Sequence, residues 1–155
     1  MSSHTVVDVL PQDAIPSIDD PTFAESFNGT DDETVLVVET DGTARAYPTR
    51  ILQNHEVVNN SDDSGPFAVT WCPLCGSGVV YDRRIDGRTL TFGVSGKLAD
   101  NDLVLYDRET ESEWKQSSGR CLAGPLSGTE LTVLSARTTT LGAFRERYPD
   151  GVVLQ

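Results

Sequence analysis

The stretch TVLVVETDGTARAYP, residues 34–48, indicates the kind of fold that this chain adopts. Two runs rich in β-branched and apolar side chains flank the dipeptide Asp41-Gly42. An Asp-Gly pair between such runs is a strong signal for a two-residue β-hairpin, because both central residues of that turn need a positive φ. Pro48 ends the second strand, and its preset φ suits the first position of a short helix over residues 50–53.

The rest of the chain repeats this pattern of short strands and tight turns. The further predicted strands are residues 66–71, 78–83, 89–94, 103–106, 113–116 and 131–134. Asp86-Gly87 marks a second hairpin, and only residues 140–148 have helical periodicity, which Pro149 ends. We therefore predict a single, mainly antiparallel β domain, a barrel or sandwich, with one or two short helices.

The N-terminal part differs in composition from the rest. Residues 1–34 are rich in Asp, Pro and Ser and show little periodicity. Because residues before proline avoid the helical region, residues 15–21 are expected to be extended. We predict an extended arm over 1–34 that packs along a β-rich domain of residues 35–155, and a polar turn at residues 61–65.

The chain is acidic: 24 acidic against 12 basic residues give 155 residues a net charge of −12. With only two lysines, Lys97 and Lys115, such a surface suits a cytoplasm of very high salt, although an acidic protein of an ordinary cytoplasm shows the same composition. The sequence has no basic cluster of the kind that binds nucleic acid, so we expect no nucleic-acid partner. It also has no run of 18 apolar residues, so we expect no membrane span. Without a signal-peptide pattern, we expect a cytoplasmic protein whose three cysteines do not form a disulfide framework.

The feature that points to chemistry is CPLCG, residues 72–76. Two thiolates spaced in this way can hold one metal ion when proline presets a tight turn and glycine lets amide N–H groups point at sulfur, as in rubredoxin and zinc-ribbon knuckles. A structural zinc site, however, takes four ligands, and no second CxxC exists. A thioredoxin-type dithiol would open a helix, for which Gly76-Ser77-Gly78 is poor material. The remaining interpretation is that the two cysteines merely pack in a hydrophobic core.

His55 is the predicted companion of Cys72 and Cys75, because it ends the short helix and the following strand leads into Cys72. Together they would offer one nitrogen and two sulfurs with a fourth position open, a catalytic arrangement that suits Zn, Cu or Fe. Alternatively, His55 is a base that raises the thiolate content of the pair, or a structural histidine within the sheet. His4, near the N-terminus, is given no role.

Other residues are weaker candidates. Cys121 could add a third sulfur, but a lone cysteine of this kind is more often a small buried hydrophobe, which we favour. Asp82-Arg83 and Asp107-Arg108 are interpreted as ion pairs at turns or strand ends. Six side chains beside predicted strands could line a pocket, although each has an ordinary role too: Glu56, Tyr81, Asp82, Asp107, Trp114 and Gln116.

Six motifs follow one another along the chain: RAYP at 45–48, NHEVVN at 54–59, CPLCG at 72–76, TFGVSG at 91–96, LYDRET at 105–110 and WKQ at 114–116. In this order they closely resemble the DUF3179 family, a domain family of unknown function. The resemblance implies a single small domain without an established activity, and it implies that His55, Cys72 and Cys75 belong to the family's pattern. Asn54 and Trp71 depart from that pattern, which usually has tryptophan and tyrosine there, and so does Cys121, which replaces a small or aliphatic residue.

Three functions are compatible with these residues. The leading hypothesis is a small metal-binding domain in which His55, Cys72 and Cys75 hold one transition metal with an open coordination position, for catalysis or metal handling. The second is a thiol-redox protein whose two cysteines cycle between dithiol and disulfide. The third is a non-enzymatic interaction module in which the knuckle only shapes a loop. No pattern in the sequence identifies a small-molecule or protein partner.

Overall fold

The computed structural model describes residues 6–40, 42–62 and 65–155. The strands are β1 (Val6–Asp8), β2 (Phe23–Ala24), β3 (Thr34–Thr40), β4 (Thr43–Pro48), β5 (Val57–Asp62), β6 (Gly65–Cys72), β7 (Ser77–Asp82), β8 (Arg84–Ile85), β9 (Arg88–Thr89), β10 (Phe92–Ala99), β11 (Asp102–Asp107), β12 (Glu113–Lys115), β13 (Cys121–Ala123), β14 (Val133–Leu134), β15 (Arg137–Thr140) and β16 (Val152–Leu154). The helices are α1 (Thr49–His55) and α2 (Leu141–Arg147). Neither is long and apolar enough to cross a membrane.

Three sheets and one small hairpin organise these strands. In spatial order, sheet 1 contains β1, β10, β11, β12 and β13, sheet 2 contains β14, β7, β6 and β5, and sheet 3 contains β15, β3, β4, β16 and β2. Within the described ranges the paired strands run antiparallel, except that β16 lies parallel to β4. The prediction of a single, mainly antiparallel β domain with two short helices is confirmed.

Both Asp-Gly pairs mark hairpins, as predicted. β3 pairs with the whole of β4, although Asp41 itself lies outside the described residues. Asp86 and Gly87 connect β8 to β9 with positive φ values of 49° and 76°, which this turn requires. The turn predicted at residues 61–65 joins β5 to β6 and includes residues 63 and 64, which also lie outside the described ranges.

The helices differ slightly from prediction at their ends. Pro48 precedes α1 as its N-cap and is not its first helical residue, because its ψ of 129° is extended. α1 continues to His55, and Glu56 closes it in the left-handed conformation, with φ 66°. Thr140 caps α2 with its hydroxyl, so the predicted C-terminal helix is confirmed.

Alternating side chains stack the three sheets in layers. Along β6, Ala68 and Cys72 face a core shared with sheet 1, whereas Val69 and Trp71 face a core shared with sheet 3. The outer face of sheet 3 packs against α2, and Val37 of β3 is one of the residues on that face. Sheet 2 is therefore the middle layer and is apolar on both faces, as sheets covered on two sides must be.

Asn59 joins sheet 2 to sheet 1 in the buried space between them. Its side-chain amide accepts a hydrogen bond from the backbone N–H of Phe92 at 3.0 Å and donates to the backbone carbonyl of the same residue at 2.8 Å. The same nitrogen donates to Asp19 of the N-terminal segment at 2.8 Å. One buried amide thus satisfies two backbone groups and ties Asp19 to the core.

Replacing Asn59 with alanine is expected to lower the free energy of unfolding by roughly 2–4 kcal/mol, because both backbone groups of Phe92 lose their partner in a buried position. Urea unfolding followed by circular dichroism measures the change. The control is Asn54→Ala, which removes an exposed amide that donates to the carbonyl of Arg50 in its own helix. Equal stability of the two variants would contradict the proposed anchoring.

Candidate functional site

The cysteine knuckle lies where β6 leaves the core and turns into β7. Cys72 is the last residue of β6 and is 1% exposed. Its carbonyl accepts hydrogen bonds from the backbone N–H groups of Cys75 at 3.2 Å and Gly76 at 2.8 Å. Gly76 has a φ of 64°, so a residue with a side chain would be strained there. The turn thereby places Cys75 on the exposed side of the chain while Cys72 stays inside.

Cys72 and Cys75 are joined by a disulfide, with a Cα–Cα distance of 5.2 Å that lies within the usual range. The backbone N–H of Cys75 also points at the buried sulfur, at 3.3 Å from Cys72 Sγ. The amide-to-sulfur contact expected of such a knuckle is therefore present. The disulfide joins two cysteines that are three positions apart within one turn, and it does not link distant parts of the chain.

A third functional group, Asp102, approaches the disulfide from another sheet. Asp102 begins β11, and its Oδ1 lies 3.6 Å from Cys75 Sγ. Its Oδ2 accepts the backbone N–H of Ser117 at 2.9 Å, and the residue is only 6% exposed. Within the described residues, Cys72, Cys75 and Asp102 bring their ligand atoms within 4.8 Å of one another, as a group that could hold a metal ion would.

Sequence reasoning missed Asp102. It lies 27 residues beyond Cys75 and belongs to none of the six motifs. The local signal is a turn at Asp100 and Asn101, whose positive φ values of 52° and 65° mark the connection from β10 to β11. Such a turn indicates a hairpin but not that its first strand residue faces a cysteine on another sheet.

His55 does not join this group. It ends α1, and its Nδ1 lies 2.8 Å from the carbonyl oxygen of Pro16, to which it donates because a carbonyl can only accept. The predicted ligand set of His55, Cys72 and Cys75 is thus not the set that the structure assembles, in which Asp102 takes the third place. The reason is that the end of α1 lies against the N-terminal segment, which supplies the ring's partner.

Gln116 and Tyr81 are buried and form hydrogen bonds next to the strands that flank the knuckle. Gln116 Nε2 donates to Thr70 Oγ1 at 3.1 Å and lies 3.5 Å from the carbonyl of Ser77, the residue opposite Cys72 in the ladder. Tyr81 donates its hydroxyl to the carbonyl of Gln116 at 2.6 Å. Burial, with smaller contributions from nearby carboxylates, raises the pKa of Tyr81, so its hydroxyl stays a donor. These bonds hold the strands that flank the disulfide.

The remaining candidates have structural roles. Asp107 is fully buried and accepts the indole N–H of Trp114 at 2.8 Å, so it is not paired with Arg108. Arg108 instead binds Asp19 at 2.5 Å. Cys121 is buried outside the group, and burial raises the pKa of its thiol, as the favoured interpretation implied.

The predicted ion pair of Asp82 with Arg83 is wrong. Asp82 pairs with Arg84 at 3.0 Å, because alternate residues share a side of an extended chain. Arg83 turns inward and donates to backbone carbonyls, at 2.7 Å to Leu90 and 2.8 Å to Asn60.

The model of the family described as "Protein of unknown function (DUF3179)" matches residues 12–155, nearly the whole chain. The match covers the knuckle, Asp102 and His55, and it confirms the resemblance carried by the six motifs. No curated protein matches the chain, and no solved structure does.

Glu56 is a buried carboxyl beside the site. It is 5% exposed, and its backbone carbonyl accepts the N–H of Trp71, the neighbour of Cys72. Burial raises the pKa of Glu56 from 4.5 to about 7. The folded protein therefore holds this proton at pH values at which the unfolded chain has already released it.

Because the folded state binds the proton more tightly, the free energy of unfolding is expected to fall as pH rises from about 4.5 to about 7 and to level off above that. Glu56→Gln should flatten this part of the profile, and Glu25→Gln, at an exposed position, should leave it unchanged. Urea unfolding at pH 5, 6, 7 and 8 compares the three proteins. Identical slopes for wild type and Glu56→Gln would contradict the raised pKa.

Proposed function

We propose that this chain, which belongs to the DUF3179 family of proteins of unknown function, is a thiol–disulfide redox protein whose Cys72 and Cys75 cycle between disulfide and dithiol. The observation that carries the proposal is a disulfide between an exposed and a buried cysteine, set in a tight, hydrogen-bonded turn. In such a pair the partner attacks the exposed cysteine, and the sulfur of the buried cysteine is the leaving group.

The exchange begins on the exposed sulfur. A thiolate of a partner dithiol attacks Cys75 Sγ, the bond to Cys72 breaks, and the electron pair leaves with Cys72 Sγ. The partner's second thiolate then attacks the partner sulfur of the mixed disulfide, and Cys75 leaves in turn. The partner becomes a disulfide, while two electrons and two protons pass to the two cysteines.

The turn provides a hydrogen-bond donor to the leaving sulfur of Cys72. The N–H of Cys75, at 3.3 Å from Cys72 Sγ, donates a hydrogen bond to the thiolate that forms there. In thioredoxin-type sites a helix N-terminus stabilises the thiolate and lowers the thiol pKa. Here a strand, β7, follows the turn, and the N–H of Cys75 stabilises the thiolate instead. In the dithiol, Asp102 is placed to accept the hydrogen of the Cys75 thiol.

Redox titration tests this function. In thiol–disulfide buffers spanning about −120 to −300 mV, the pair is expected to pass fully from disulfide to dithiol, as counted by alkylation and mass spectrometry. Cys72→Ser should trap a mixed disulfide at Cys75, whereas Cys75→Ser, which leaves the buried thiol, should react roughly tenfold or more slowly. Cys121→Ser is the control and should titrate like wild type. A pair that stays in one state across this range would rule the function out.

Metal binding by the reduced protein is the second candidate, and the approach of Asp102 to both sulfurs favours it. Opening the disulfide frees two thiolates, which with one carboxylate would give three ligands suited to Zn²⁺ and a fourth position open to water or substrate. His55 is absent from this ligand set, in contrast to the prediction from the sequence.

Co²⁺ titration of the reduced protein tests this second candidate through the thiolate-to-metal absorption band. Asp102→Asn is expected to weaken binding by roughly tenfold or more, and His55→Ala to leave it unchanged. The opposite result, with His55 needed and Asp102 dispensable, would restore the ligand set predicted from the sequence. Without a stoichiometric band, metal binding by the pair is ruled out.

A further inference from the structure

The surroundings of Cys75 are negatively charged. The carboxylate of Asp102 lies 3.6 Å from the exposed sulfur, and in the described part of the chain no basic side chain pairs with it within 4.0 Å. Because Asp102 is 6% exposed, water and salt screen its charge less than that of a surface carboxylate. A nucleophile that approaches the disulfide therefore meets an acidic side chain beside its target.

Nearby bases do not cancel this charge. Lys115, on the strand next to β11, pairs with Asp100 at 3.3 Å, and Lys97 pairs with Glu113 at 2.6 Å. Over longer distances the net charge of −12 acts in the same direction. Such a field lowers the encounter rate of anions and raises that of cations.

The knuckle also carries an exposed apolar tip. Leu74, between the two cysteines, is 71% exposed, and Pro73 beside it is exposed as well. A leucine at this level of exposure can bury apolar surface only against another molecule. It precedes the exposed Cys75 directly in the chain, so a polypeptide that reacts at Cys75 passes close to Leu74.

We propose, building on the redox function, that the partner of Cys75 is a polypeptide whose reacting cysteine is flanked by a basic and an apolar residue. The basic residue meets the field of Asp102, and the apolar residue packs on Leu74. Small anionic thiols such as glutathione, which is negatively charged at neutral pH, are poor partners of this site. The chemical step is the exchange described above: the peptide thiolate attacks Cys75 Sγ, the bond to Cys72 breaks with the electron pair on Cys72 Sγ, and a second thiolate of the polypeptide then releases Cys75.

Four peptides of equal length, each with one cysteine, test the first step by the rates at which they form a mixed disulfide with Cys75 in the intact protein. The cysteine is flanked by Lys and Leu in the first peptide, by Lys and Ser in the second, by Glu and Leu in the third, and by Glu and Ser in the fourth. Each rate is divided by the fraction of that peptide present as thiolate, because the thiolate is the attacking species. At low salt the Lys peptides are expected to react about tenfold or more faster than the Glu peptides. The difference should shrink severalfold in 1 M salt, where the Debye length is about 3 Å. The Leu peptides should exceed the Ser peptides at either salt concentration.

Two variants assign the effects to their residues. Asp102→Asn should remove most of the preference for Lys, whereas Asp150→Asn, the same charge change at an exposed position outside the site, should keep it. Leu74→Ser should remove the preference for Leu without changing the preference for Lys. Thermal unfolding checks that each variant is folded, and the salt series on the unaltered protein stands whether or not Asp102→Asn folds.

Dithiothreitol, an uncharged dithiol, separates this proposal from the redox function on which it depends. If dithiothreitol opens the disulfide but all four peptides react at one rate, or the Glu peptides react faster, the proposed partner is wrong and the redox function stands. If dithiothreitol leaves the disulfide closed in the folded protein, both are wrong.

Discussion

The double burial of sheet 2 is the constraint on which the rest of the structure depends. From Phe67 to Cys72 the residues of β6 are buried, with Ala68 and Cys72 packed toward sheet 1 and Val69 and Trp71 toward sheet 3, so this part of the strand exposes neither face. Chemistry can reach water only where the strand ends. Cys72 stays in the core as its last residue, and Cys75, one tight turn later, is outside. The difference between the two sulfurs is thus a consequence of the layer order.

Stacking also decides what surrounds the turn. Because sheet 1 covers one face of sheet 2, the start of β11 brings the Asp102 carboxylate to the exposed sulfur, and β12 leads into Gln116, whose amide reaches the strands behind it. Asn59 holds the same two sheets together farther along β5. The knuckle by itself is a local motif, and its electrostatic character comes from the neighbouring sheet. The two proposed functions, redox exchange and metal binding, would use the same three side chains and differ in whether the sulfur–sulfur bond is closed.

Much of the fold could be predicted because its signals are local. An Asp-Gly pair between apolar runs sets a hairpin through its own backbone preferences, and a Thr before an amphipathic segment begins a helix. The knuckle is local in the same sense, since proline and glycine shape the turn between its cysteines. His55 was predicted from nearness in sequence, but the end of α1 faces the N-terminal segment, and the ring binds Pro16 there. Chain position could not reveal that contact, because it joins segments 39 residues apart.

The sequence by itself determined the β class, both hairpins, the family and the two cysteines of the site. Each of these depends on residues within a few positions of one another, where backbone geometry and side-chain alternation act directly. Only the tertiary structure decided that Asp102 and not His55 accompanies the sulfurs, and that Cys75 is exposed whereas Cys72 is buried. Those outcomes depend on how the sheets stack, and stacking follows from the burial of whole faces, a sum over many residues that no single motif encodes.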